Sequence, residues 1–320
     1  MTGAEGACHS LRTEHTMQLD TVGQQILNAL ELGAIYALIA LGFNLIFGVA
    51  GLLNFAHGQV FMIGAFAAYV VAVNLSGIPG LSNLLLLLLV ALASMGTGAL
   101  LGFLLSRGIF VPLLQAEKTT ALIASLGVGL LLQNGMAAAF GAVTARYPAG
   151  LYRVVPVDIG PLTTSNASLL ILLVSLAVLV LLRLFVRRTQ LGRFLRAVEL
   201  NPTAASLMGI DVPRVIDLMV MIGSALAALA GLLYGIMFPV LTPDMGVFVG
   251  WKAFFAVVLG GLGSMEGAYI GGFVLGIVEI FVPYLFTSSY TDVVVYGILI
   301  AVLMLRPGGI LGMRSAASRV

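Results

Sequence analysis

Apolar runs long enough to cross a bilayer recur along this chain, and they restrict its fold more than any motif does. A hydrocarbon core about 30 Å thick needs ~20 consecutive, mostly apolar residues of helix. Such runs occupy about residues 24–47, 51–74, 84–105, 119–140, 167–186, 215–238 and 267–286, with a short last one over 293–305. Residues 251–260 are too few to cross alone. Only 9% of the 320 residues are charged, against about 25% in soluble domains, so no soluble surface of this size could be covered. A transmembrane β-barrel would show short alternating segments instead. The sequence predicts an all-α, polytopic integral membrane protein with eight full transmembrane helices plus a half-helix or ninth span, and with broken helices among them.

The second run carries the most unusual chemistry. In residues 51–69, GLLNFAHGQVFMIGAFAAY, Asn54, His57 and Gln59 sit within six residues of one another, between Gly51 and the small residues that follow Gly58. Polar side chains at membrane depth are costly unless they pair or line a water-filled path. Glycine lets the backbone bend or another helix come close. This predicts a discontinuous helix on a translocation path. His57 either hydrogen-bonds cargo or changes charge during a cycle, or is a neutral ring that ties two helices together or caps the break. Asn54 and Gln59 are read as satisfying backbone groups that the break sets free.

Other polar residues interrupt the apolar runs. Glu279 would cost about 2.5–3.5 kcal/mol at a helix centre on insertion scales if unpaired; Lys252 is its candidate partner, and Glu279 joins the translocation-path set. Glu31 lies near the start of the first span, at an interface or in a gate. Glu266 falls in an expected solvated turn, and Trp251 and Tyr269 are candidate interfacial anchors.

Several function classes are excluded. A net charge of +2 does not suggest nucleic acid. The single cysteine, Cys8, allows no internal disulfide, and Cys8, His9 and His15 make a poor metal set. No metal and no cofactor are expected. The chain contains no GxxxxGK[ST] phosphate loop, and residues 260–264, GGLGS, lack the preceding strand of a dinucleotide site. No Ser-His-Asp set or HExxH helix is present, so the chain is not read as an enzyme. Residues 1–20 form a polar leader without the apolar core of a cleaved signal, and Met17 is a candidate start.

Charge placement sets the expected orientation. Arg183, Arg187, Arg188, Arg193, Arg196 and Arg214 cluster in or beside one loop, and Arg306, Arg314 and Arg319 close the chain. By the positive-inside rule both regions are cytoplasmic; Arg107 and Lys118 agree, while Arg146 and Arg153 are exceptions. Within the loop 187–214, Asn201 is a good N-cap, Pro202 fits the first helical position and Gly209 suits a left-handed closing residue. The helix predicted over 202–208 is only about two turns, which is marginal in isolation. It is either a short surface helix or, with Ala204, Ala205, Leu207 and Met208, a plug for a socket on a cytoplasmic partner.

Four stretches then match a known family in order and spacing: Tyr36-Ala-Leu-Ile-Ala-Leu-Gly42; Asn54-Phe-Ala-His-Gly58; Gly192-Arg-Phe-Leu-Arg-Ala197 with Leu207-Met-Gly-Ile-Asp211; and Lys252-Ala-Phe254 through Val258-Leu-Gly-Gly-Leu-Gly-Ser264 to Gly271, Gly272 and Glu279. Over residues 24–312 the chain resembles the permease subunits of branched-chain amino acid ABC importers, the H-type subunit in particular. The resemblance implies a second permease subunit, two cytoplasmic ATP-binding subunits, a periplasmic substrate-binding protein and residence in a bacterial inner membrane. It also implies that Pro202, Thr203, Ala204, Ala205, Leu207, Met208 and Gly209 form the coupling helix that docks on the ATPase. Thr203 stands where importers of this type usually carry Glu. Permeases of the group carry branched-chain or related hydrophobic amino acids, and others carry urea or short amides. An ion-coupled secondary transporter, relying on Glu279 and His57, and a passive channel are the competing readings. The expected domains are the leader 1–20, the permease domain 21–312 and a cytoplasmic tail 313–320.

Overall fold

A computed structural model describes residues 3–78, 82–114, 116–141, 144–148, 151–152, 154–159, 162–306 and 308–311. The expected tail 313–320 and Arg153, Arg314 and Arg319 lie outside the described residues, as do the side chains of the leader, Cys8, His9 and His15 among them.

Helix α1 (Gly3–Ala50) supplies the first span with its stretch Thr21–Ala50. It is followed by α2 (His57–Leu75), α3 (Asn83–Leu105) with a π-helical turn (Ser106–Phe110), and α4 (Lys118–Phe140). Strands β1 (Pro156–Ile159) and β2 (Leu162–Ser165) precede α5 (Asn166–Arg188), α6 (Gln190–Leu200) and α7 (Pro202–Leu207). The chain continues through α8 (Val212–Met237), α9 (Met245–Gly260), α10 (Met265–Leu285) and α11 (Thr291–Leu305). Among the described residues eight helical stretches are long and apolar enough to cross a membrane, and α9, at 16 residues, is a shorter apolar helix. At 1.5 Å per residue it reaches about 24 Å, less than a hydrocarbon core.

Short polar side chains begin the apolar helices. Ser82, Ser165 and Ser264 accept hydrogen bonds from Leu85, Ser168 and Gly267 N–H at the starts of α3, α5 and α10. Each satisfies a donor that the first helical turn leaves free. Residues 141–166, read from sequence as a loop, contain an antiparallel hairpin pairing Pro156 with Ser165 and Ile159 with Leu162. Tyr147 fastens this connection by donating to the Ala65 carbonyl at 3.0 Å. Burial pushes its hydroxyl well above the usual phenol range, so it stays a donor.

Burial separates centre from rim. The apolar part of α1 is 89% buried and that of α8 78%, whereas the last stretch, Ser288–Leu305, is only 6% buried. Leu92, Leu131, Leu173 and Met304 turn outward from α3, α4, α5 and α11, the expected composition of a lipid-facing surface. Close approach in the interior uses glycine: a Cβ on Gly42 would lie 2.4 Å from the Gly223 carbonyl of α8, and one on Gly33 2.8 Å from the Phe273 backbone of α10. Small residues are what allow helices to pack without a hydrophobic drive between them.

Ion pairs define one end of the bundle. Glu266 at the start of α10 meets Arg183 and Arg187 at the end of α5, 3.4 and 3.9 Å away, so this residue of an expected solvated turn bridges two helices. Arg107, in the π-turn after α3, lies 2.6 Å from Asp217 near the start of α8. Tyr269, expected as an interfacial anchor, packs inward, with its hydroxyl 3.1 Å from that of Ser175.

Candidate translocation cavity and coupling helix

The break predicted at residues 51–59 lies between α1 and α2. Gly51 has φ of 61°, a left-handed value that glycine adopts without steric cost, and there α1 ends. Residues 51–56 double back along α1, bringing His57 Nε2 to 3.3 Å from the Ile39 carbonyl. Ile39 lies eleven residues before Ala50, about 16 Å of helix. Helix α2 therefore begins inside the bundle. Within the break, Asn54 Oδ1 accepts the Ala56 N–H at 3.1 Å, and Ser125 Oγ of α4 accepts the Phe55 N–H at 3.2 Å. Non-helical backbone at this depth is tolerated only where such partners exist. Gly58 then packs directly on α9: an added Cβ would stand 2.1 Å from the Gly246 carbonyl oxygen.

A cavity of about 240 Å³ opens beside the start of α2. Asn54, Gln59 and Gln133 are its polar lining residues, and Phe43, Phe55, Leu130 and Trp251 are among its aromatic and aliphatic ones. Gln133 Nε2 donates to Asp244 at 2.8 Å. Asn54 and Gln59 are 1% and 4% exposed, yet Asn54 Nδ2 and Gln59 Oε1 have no hydrogen-bond partner among the described residues. An unpaired buried polar group costs about 1–3 kcal/mol.

The four residues expected on the path do not share one surface. His57 is 1% exposed and stands behind Phe43, whose ring meets it edge-on at 5.5 Å and lines the cavity in its place. Its contact with the Ile39 carbonyl ties α2 to α1. Glu279 of α10 is likewise absent from the lining. It forms an ion pair with Lys252 of α9, the partner nominated from sequence, and its second oxygen accepts the Tyr36 hydroxyl of α1 at 2.6 Å. One carboxylate thus joins three helices. Glu31, near the opposite end, is buried beside Ser168 and shares two further cavities with Asn28 and Ser165.

Sequence reasoning missed Asp217. It is 5% exposed and accepts the Ser106 hydroxyl at 2.6 Å in addition to its pair with Arg107. A lone aspartate inside the apolar α8 run was the available signal. Among the described residues no three His, Cys, Asp or Glu side chains converge as metal ligands.

At the basic end, α7 follows the expected punctuation. Asn201 Oδ1 accepts the Ala204 N–H at 3.0 Å, Pro202 occupies the first turn, and Gly209 closes with φ of 82°. The helix ends at Leu207, with Met208 as its C-cap. The preceding α6, absent from the sequence reading, packs Leu195 and Val198 inward and holds this short element against the bundle. Ala205 is 4% exposed, whereas Leu207 and Met208 are 83% and 84% exposed. Two large apolar side chains therefore project from the end of the protein.

A spanning bundle, a helix break inside it and a small cavity at that break define a multi-pass membrane permease. The family described as branched-chain amino acid transport system / permease component matches residues 25–303. This chain belongs to that family. It is 38% identical over 293 residues to the high-affinity branched-chain amino acid transport system permease protein BraD of Pseudomonas aeruginosa, covering 90% of this chain and 95% of BraD. Escherichia coli LivH, a permease protein of the same description, is 35% identical over 294 residues, with 90% and 95% covered. The ribose import permease protein RbsC of Escherichia coli is 26% identical over 303 residues, with 88% and 84% covered.

Proposed function

We propose that this chain is the membrane-spanning subunit of an ABC importer and carries branched-chain or related hydrophobic amino acids into the cytoplasm. ATP hydrolysis is assigned to two partner subunits, cargo delivery to a periplasmic binding protein, and the other half of the membrane passage to a second permease subunit. The observation that carries this reading is α7. At the basic end of a permease bundle, Leu207 and Met208 stand almost fully exposed on a helix whose base is fixed by Ala205, a suitable plug for a socket on an ATPase. The positive-inside rule puts this end, the loop 187–214 and the C-terminus in the cytoplasm. Cargo passes by the cavity at Asn54 and Gln59; His57 supports the break, and Glu279 fixes α10 to α1 and α9.

The amino-acid cargo rests on the descriptions of BraD and LivH, and the ribose permease among the relatives is a reason to test it directly. An ion-coupled carrier loses its main support because Glu279 is already engaged by Lys252 and Tyr36. The deciding measurement is uptake of labelled leucine into proteoliposomes holding the whole transporter, its ATPases and its binding protein. ATP-dependent accumulation is expected. No accumulation of any amino acid, urea or amide would falsify the proposal.

A further inference from the structure

Glu31 is a buried carboxylate without a counter-charge. It is 9% exposed, and among the described residues no ion pair reaches it. The Ser168 hydroxyl is its hydrogen-bond partner, whereas an ionised carboxylate has about four acceptor positions. Burying a charge is costly unless something pairs with it. Two cavities of about 330 and 390 Å³ meet here, and Glu31, Asn28, Val154 and Ser165 line both. The first continues past Gln24, Thr164 and Ser168, so amides and hydroxyls dominate its wall. The second continues past Ile236, Met237 and Ile280 and is apolar away from Glu31. No described lysine or arginine lines either one, and neither shares a lining residue with the cavity at the helix break. Both volumes fall within the ~300–1,000 Å³ of small-molecule sites. They lie at the end of the bundle opposite the basic loop, which the proposed orientation turns outward.

We propose that Glu31 and its two cavities form an outer binding site for a primary ammonium compound with an aliphatic body, the class that includes hydrophobic α-amino acids. The ammonium group donates to Glu31 and supplies the missing counter-charge. The aliphatic body enters the cavity lined by Ile236, Met237 and Ile280. In an amino acid, the α-carboxylate turns toward the amides and hydroxyls of the other cavity. A bare inorganic cation would match the charge but leave the apolar cavity unfilled. Leucine as a member of this class rests on the cargo reading; the ammonium site itself does not.

The test is equilibrium binding to the whole transporter in detergent, without ATP and without its binding protein. The probes are labelled leucine, isopentylamine (leucine without its carboxylate) and isocaproate (leucine without its ammonium group). Leucine and isopentylamine are expected to bind saturably and to compete, and isocaproate to do neither. Glu31→Gln keeps the shape and removes the charge. It should weaken both ligands about tenfold or more, the factor of one charge-assisted hydrogen bond, while Glu31→Asp retains part of the affinity. The thermal midpoint of Glu31→Gln should not fall, because an unpaired buried charge has been removed. If it does fall, Glu31→Asp decides: affinity recovered with the charge supports the site, and affinity still lost overturns it. No saturable isopentylamine binding, unchanged binding in Glu31→Gln, or equal competition by isocaproate overturns the site and leaves the importer reading intact. Failure of the binding protein to dock on Glu31→Gln, with no isopentylamine binding to the unmodified transporter, assigns the carboxylate to a basic side chain of that protein and also overturns the site. Glu31-dependent isopentylamine binding without any leucine uptake overturns the cargo reading alone.

Discussion

At the scale of single residues, the consequences follow from what each side chain or its absence touches. Gly58 lies against the Gly246 carbonyl, and a backbone atom 2.1 Å from a new Cβ cannot step aside cheaply. Gly58→Val should therefore separate α2 from α9 and destabilise the protein by about 1–3 kcal/mol or more. A lower thermal midpoint in detergent is the expected result, and an unchanged midpoint would remove this contact from the account. The Lys252–Glu279 pair makes a second case. Both side chains are largely buried, at 24% and 17% exposure, so removing one partner leaves an uncompensated charge. Lys252→Met should cost about 3–5 kcal/mol. The double variant with Glu279→Gln should recover most of that, because a neutral amide oxygen still accepts the Tyr36 hydroxyl. A double-mutant cycle on unfolding measures the coupling; additive losses would mean that the pair does not act as a unit.

At the scale of elements, α7 separates packing from docking. Leu207→Asp or Met208→Asp alters only the outward face and should leave membrane insertion and thermal stability as they are, while abolishing coupled ATP hydrolysis and uptake. Ala205→Glu, on the buried face, should instead loosen the loop from the bundle and reduce stability. Normal uptake in both outward variants would rule out α7 as the docking helix. The spans were legible in the sequence because ~20 apolar residues in succession have few other uses. Asn201, Pro202 and Gly209 were equally legible, since capping is local chemistry. The hairpin escaped because its strands have four residues each, too few to show an alternating pattern. Helix α6 was masked by its arginines, which read first as a topology signal. The cavity was legible only in part: sequence marks Asn54, His57 and Gln59 as polar, but the helical turn then sends His57 toward Ile39 and leaves the other two in the wall. The Arg107–Asp217 pair joins residues 110 apart, a separation that no local pattern encodes.

At the scale of the whole molecule, the proposed orientation is open to direct labelling. On a Cys8→Ser background, Arg188→Cys should react with a membrane-impermeant maleimide only in inside-out vesicles, and Thr287→Cys only in right-side-out cells. The opposite pattern would invert the protein and place α7 beyond reach of any cytoplasmic ATPase. The central position of α1 also bears on how the protein is made. Its closest neighbours are distant in sequence: Gly33 packs on Phe273, Gly42 on Gly223, and Tyr36 bonds Glu279. Synthesis at about 5–20 residues per second places α10 in the membrane tens of seconds after α1. Through that interval α1 displays to lipid the glycine-lined face that the finished protein hides most completely. The central helix thus arrives before its partners α8 and α10 and is among the last to be enclosed. Truncation after α5 should leave it accessible to degradation, in a state that only the arrival of α8 and α10 resolves.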